Sequence, residues 1–191
     1  MKVFNISLHR TGTQSFINYC KSNGLSTQHW PGKAFDKACS PALEGLNYDF
    51  VYKLYRSWLE GSECFADLPI PIIYEQLIND YQDAYFVVIY RDPTSWLKSA
   101  RNHVNKRECD NLELLQYSLL TGDIRADISD YTDDEMINSY MLFHTKLINM
   151  LNEKNRKFLF LDLNDPLLNI KLNSFLNFSN DFHFNNVDIT K

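Results

Sequence analysis

A chain of 191 residues, 45% apolar and 14% aromatic, has material for one well-packed domain and is not the composition of a disordered segment. Its formal net charge of -5, with no long basic run, excludes a general nucleic-acid binder. A small anionic ligand is still compatible, because screening over roughly 8 Å leaves the decision to local cations.

In chain order, Lys2 to Leu8 reads as a first strand. Met1-Lys2 runs straight into it, too short and strand-like for a secretory leader. A helix from about Gly12 to Ser22 follows and stops at Asn23-Gly24. Trp30-Pro31-Gly32 is a turn, and Ser40-Pro41 opens a short helix. Tyr48 to Trp58 is aromatic and mixed. Glu63 to Asp67 reads as a short buried strand, and Pro69 and Pro71 lead into a helix over Ile72 to Asp80. The clearest strand is Tyr85 to Tyr90, continuous and rich in β-branched and aromatic residues, as a strand buried on both faces requires. Asp92-Pro93 caps and starts a helix that runs to about Lys106. Helices over Leu112–Leu120 and Asp133–Asn152, a buried strand over Phe158–Leu163, and a helix from Asp165-Pro166 to near Asn177 complete the chain. Strands alternating with helices predict a single α/β domain over residues 1–191, with a central, mostly parallel sheet flanked by helices. Ligands in such folds sit beyond the carboxyl ends of the strands.

Two places suit phosphate. The first is His9-Arg10-Thr11-Gly12-Thr13-Gln14-Ser15, between the first strand and its helix. Gly12 permits close backbone approach, the helix start presents free N–H groups, and Thr11, Thr13 and Ser15 add hydroxyls. Arg10 adds a permanent fork-shaped cation. The plain alternative is a capped turn with a surface arginine. The loop is not a Walker A motif, which needs a second glycine followed by lysine. The second place is Arg91, at the end of the clearest strand, with Ser99 eight positions on along the next helix. Taken singly, Arg91 pairing with a neighbouring carboxylate is the better reading; together the two places suggest two separate phosphates.

The four cysteines, Cys20, Cys39, Cys64 and Cys109, have no CxxC spacing or nearby His, and read as free thiols in a reducing compartment. No apolar run approaches the ~20 residues of a membrane helix. A cytoplasmic protein with no membrane or nucleic-acid partner is the expectation.

These motifs resemble the sulfotransferase superfamily, in particular a branch of small bacterial-type members. Arg10-Thr11-Gly12-Thr13 is similar to its 5′-phosphosulfate loop, and Arg91-Asp92-Pro93 with Ser99 to its 3′-phosphate motif. Ala66-Asp67-Leu68-Pro69, Leu161-Asp162-Leu163-Asn164-Asp165-Pro166 and Phe182-His183-Phe184-Asn185 extend the likeness over most of the chain. Gln14 stands where many members carry Thr or Ser, and the histidine motif that supplies the base in the small-molecule branch is absent.

The resemblance implies a P-loop NTPase-like three-layer fold and 3′-phosphoadenosine 5′-phosphosulfate as co-substrate, with no metal. The acceptor is then a small molecule or saccharide. Arg10, Thr11, Gly12, Thr13, Gln14 and Ser15 hold the phosphosulfate, Arg91 and Ser99 hold the 3′-phosphate, and Arg10 meets the charge on the leaving group. Asp67 is the candidate base, with an N-cap role as its alternative, and His9 is the runner-up. His29, His103 and His144 read as surface residues of helices or loops. The acceptor site is expected in residues 25–60 and 100–135. The aromatic-rich stretch Trp30, Tyr48, Tyr52, Tyr55, Arg56 and Trp58 is read mainly as core, with a pocket lining as the alternative. A magnesium-dependent kinase and a non-catalytic nucleotide-binding protein are the competing functions.

Overall fold

The computed structural model describes residues 1–105, 107–179 and 184. Five strands form one parallel sheet: β1 (Val3–Asn5), β2 (Thr27–Gln28), β3 (Cys64–Phe65), β4 (Tyr85–Tyr90) and β5 (Lys157–Asp162). Their order across the sheet is β2-β3-β1-β4-β5. Among the described residues eight α-helices connect or cover them: α1 (Thr13–Ser22), α2 (Lys33–Ala38), α3 (Tyr48–Gly61), α4 (Tyr74–Asp80), α5 (Pro93–Val104), α6 (Asn111–Thr121), α7 (Asp133–Glu153) and α8 (Leu168–Leu176). Short 3-10 turns lie at Ser40–Leu43 and Ile128–Asp130.

The strands' alternation divides the core into two layers. Phe4, Phe65, Phe86 and Val88 face one side, where they meet α3 to α7 through Tyr55, Leu77, Trp96, Leu115 and Leu147. Val3, Cys64, Val87 and Ile89 face the other, against Phe16 and Cys20 of α1 and Leu172 of α8. The result is the expected three-layer α/β fold. β4 is buried on both faces, with Phe86 to Ile89 all fully enclosed.

Several expectations change in detail. β1 is shorter than Lys2–Leu8 because side chains take over its ladder: the Ser7 hydroxyl accepts from Ile89 N at 2.6 Å and donates to Asn5 Oδ1. β5 is not a buried strand. It pairs only with β4 at the sheet's edge, so Phe160 and Lys157 face outward. Tyr48 to Trp58 is regular helix, part of α3: Asn47 Oδ1 caps Phe50 N at 3.0 Å, and Val51, Tyr55 and Leu59 fall on one buried face. Tyr55 is core, as read, while Trp58 is 38% exposed and stacks on Tyr55. β2 has only two residues and no period by which to be seen. The four cysteines are free thiols. No described helix is long and apolar enough to cross a membrane. Of the segment 182–185, only Phe184 lies within the described residues.

Candidate functional site

The carboxyl ends of β1, β2, β3 and β4 share one edge of the parallel sheet, and each contributes to a single crevice. Brought together there are the loop Leu8–Gly12, His29, Asp67 and Arg91, with Ser99 from α5 and His103 beyond it.

The loop after β1 is tightly specified. Arg10 adopts φ 66° and Gly12 φ 87°, both left-handed. Gly12 is doubly constrained: a Cβ would stand 2.9 Å from Leu163 Cδ1 and 3.1 Å from Phe184 Cζ. The Thr11 hydroxyl donates to Leu8 O at 2.7 Å, which pins the loop back onto β1. Gly12 is the N-cap of α1 and offers no side-chain oxygen, so the N-cap residue makes no side-chain capping bond to the helix start. Gln14 turns away and donates to Asn18 Oδ1 at 3.1 Å along the helix. Thr13 and Ser15 are buried.

Arg91 leaves β4 with its backbone clamped by one tyrosine. Tyr140 of α7 accepts from Arg91 N at 3.0 Å and donates to Arg91 O at 2.9 Å. Asp92 Oδ1 accepts from Ser95 N at 2.8 Å, so it caps α5 and does not neutralise Arg91. Arg91 Nη1 donates to Arg10 O at 3.1 Å, and Arg10 Nε donates to Ser99 Oγ at 3.2 Å. The two phosphate-suited places therefore share a border, closer than their sequence separation suggests. Tyr140 was not foreseen; only its spacing with Met136 and His144 on α7 marks it as inward-facing.

His9 is enclosed. Its N–H donates to Gln116 Oε1 at 3.0 Å, its carbonyl accepts from Trp96 Nε1 at 3.1 Å, and its Nε2 lies 3.0 Å from the Tyr117 hydroxyl. Burial, with His103, Arg10 and Arg107 nearby, holds its pKa well below the usual histidine value. Asp67, at φ 69°, lies beside a cavity of about 370 Å³ lined by His29, Trp30, Lys33, His103, Arg107 and Glu113, among others. The cavity thus draws on both segments expected to hold an acceptor. Burial raises the Asp67 pKa, opposed by His29, the Leu68 N–H, His103 and Arg10. Asp67 does not cap the following helix: α4 begins only at Tyr74, and its N-cap is Ile73.

His103 is exposed on α5, as expected, whereas His29 is half-buried and His144 is buried. His29 Nε2 sits 3.2 Å from Asp67 Oδ2, His103 Nε2 sits 3.5 Å from Glu113 Oε1, and His144 is buried among Tyr90, Tyr140 and Phe143. His9, His103 and Glu113 place ligand-type atoms within 4.8 Å of one another. Arg107, however, engages both Glu113 oxygens at 2.5 and 2.8 Å, and Tyr117 engages His9. That set is built as a polar wall.

A sequence model of the sulfotransferase domain matches residues 2–165. The chain belongs to the sulfotransferase domain family. The match takes in the β1 loop, Asp67, Arg91 and Ser99. A curated relative, the Ava biosynthesis cluster protein M of Aspergillus versicolor, is 30% identical over 110 residues, covering 53% of this chain and 42% of that protein. The chain thus matches less than half of that relative's length. Among solved structures, a sulfotransferase from Alicyclobacillus acidocaldarius superimposes with a TM-score of 0.58 at 17% identity, covering 100% of this chain and 86% of the other. At that identity the likeness is one of fold, and it supports the P-loop-like architecture.

Proposed function

We propose that this sulfotransferase-family protein moves a sulfuryl group from 3′-phosphoadenosine 5′-phosphosulfate to a hydroxyl of a small-molecule or saccharide acceptor. One observation carries the reading: Arg10, Ser99 and Arg91 form a contiguous set at the sheet edge, beside an uncapped helix N-terminus. That arrangement suits a ligand with two phosphate groups on one nucleoside. The helix start and the hydroxyls of Thr13 and Ser15 take the 5′-phosphosulfate, and Arg91 with Ser99 takes the 3′-phosphate. The loop has no lysine to contact a γ-phosphate, so an ATP-dependent kinase gains no support from it.

In the reaction the acceptor oxygen forms a bond to sulfur as the bond from sulfur to the 5′-phosphate oxygen breaks. The acceptor proton passes to Asp67, and adenosine 3′,5′-bisphosphate leaves. Arg10 and the α1 N–H groups meet the charge on the leaving phosphate. Asp67 is preferred over His9 as the base because it lines the cavity, while Tyr117 engages the His9 ring. The cavity supplies Trp30 and Leu68 as apolar walls and the Lys33–Asp110 and Arg107–Glu113 pairs as polar ones.

The test is thermal denaturation with adenosine 3′,5′-bisphosphate, 5′-AMP or ATP. At 100 times its dissociation constant a ligand adds ~2.7 kcal/mol of stability. A large shift is expected with the bisphosphate alone. Arg91→Ala removes a charged contact of about 1.5–3 kcal/mol, so it weakens the bisphosphate by roughly 10- to 100-fold and leaves 5′-AMP nearly unchanged. Equal binding of the two adenosine nucleotides by the wild type defeats the proposal.

A further inference from the structure

The His29–Asp67 contact points beyond a lone carboxylate base. His29 follows β2, and Asp67 follows β3, its neighbour in the sheet. His29 Nε2 lies 3.2 Å from Asp67 Oδ2, and at a longer 3.4 Å from the Thr13 hydroxyl at the start of α1. Both side chains are largely shielded, with 27% of His29 and 18% of Asp67 exposed, and both line the same cavity. One ring nitrogen therefore faces the candidate base and the donor loop at once.

We infer that His29 is a positioning residue: its Nε2–H donates to Asp67 Oδ2 and turns the other carboxylate oxygen toward the acceptor hydroxyl. This role rests on the sulfotransferase reading above. The proton balance is simple. The acceptor O–H bond breaks, its proton moves to Asp67, and His29 keeps its own Nε2 proton throughout. The Thr13 contact ties this pair to the loop that would hold the leaving group, so base and donor are placed by one short network.

The charged and titratable groups around Asp67 come from four elements besides its own. They are His29 after β2, Arg10 after β1, His103 on α5 and Tyr55 on α3. Of these groups His29 lies within hydrogen-bonding distance of Asp67, and an N–H donated to the carboxylate favours the ionised form that can accept a proton.

The experiment follows the Asp67 side-chain carboxyl by ¹³C NMR titration in the wild type, His29→Leu and His29→Gln. The ring tautomer of His29 is read by ¹⁵N NMR in the wild type. His29→Leu is expected to raise the Asp67 titration midpoint. His29→Gln keeps an N–H donor and returns the midpoint most of the way. The wild-type ring is expected to carry its proton on Nε2. An unchanged midpoint in His29→Leu, no recovery in His29→Gln, or a proton on Nδ1 alone overturns the inference. Adenosine 3′,5′-bisphosphate is the control ligand, and its binding by the wild type tests the sulfotransferase reading separately from the titration. If the wild type does not bind it, the sulfotransferase reading falls and the catalytic role falls with it. The titration shift would then persist as a mark of the pair alone, which separates the two failures.

Discussion

Gly12 illustrates how one residue answers to two separate demands. Its φ of 87° disfavours any side chain, and Leu163 and Phe184 occupy the volume a Cβ would need. Gly12→Ala is therefore expected to destabilise the fold by about 1–3 kcal/mol, read from the shift of the urea midpoint. The first demand was legible, since a glycine between a strand and a helix signals a tight loop. The second was not, because Leu163 and Phe184 are more than a hundred positions away. Arg10, Arg91 and Ser99 show the same division. Arg10 and Arg91 at strand ends, with Ser99 along the next helix, read as suited to phosphate, but their mutual contacts depend on side-chain direction across the sheet edge. His29 was passed over as a surface histidine because nothing near it in the chain announces Asp67.

At the scale of elements, the walls of the cavity are tied together by a buried carboxylate. Asp36 of α2 accepts from Leu112 N at 2.9 Å and Asn111 N at 3.3 Å, in the first turn of α6. Burial pushes its pKa up, and those N–H bonds oppose the shift. Asp36→Ala leaves these N–H groups without that partner and is expected to cost about 1–2 kcal/mol by chemical denaturation. Asp36→Asn keeps an acceptor oxygen and is expected to cost less. Long helices with caps were well bounded from sequence: α7 begins where Thr132 and Glu135 make a capping box, and α5 where Asp92 caps it. α3 escaped because its aromatic residues blur the contrast between its two faces, although Val51, Tyr55 and Leu59 keep helical spacing. β5 was read as buried because its residues are apolar, while its position at the edge leaves one side open.

Across the whole molecule, the buried histidine of α7 sets a pH limit. His144 Nδ1 lies 2.8 Å from Tyr140 O, and its Nε2 is buried without a hydrogen-bond partner. Burial lowers its pKa from 6.5 to about 4. Above about pH 6.5 the neutral ring is accommodated in full. As pH falls from there toward 4, the unfolded chain gains a proton the folded chain refuses, and stability drops by on the order of 3 kcal/mol. His144→Leu is expected to flatten this dependence, seen as a smaller difference between urea midpoints at pH 7.5 and 5. An equal loss in both proteins would assign the acid sensitivity to other groups.

Residue types and local pattern were sufficient for the α/β class and most helix starts, and they set Arg10 and Arg91 at the ends of strands. Each of these depends on neighbours within a few positions, where spacing and capping chemistry act directly. The strand order β2-β3-β1-β4-β5 was decided only in three dimensions. It sets β2 beside β3, and so His29 beside Asp67. It sets β4 beside β1, and so Arg91 against Arg10. Pairing between parallel strands is chosen by how the two layers of the core fill, a property of the whole set of side chains that no single segment carries.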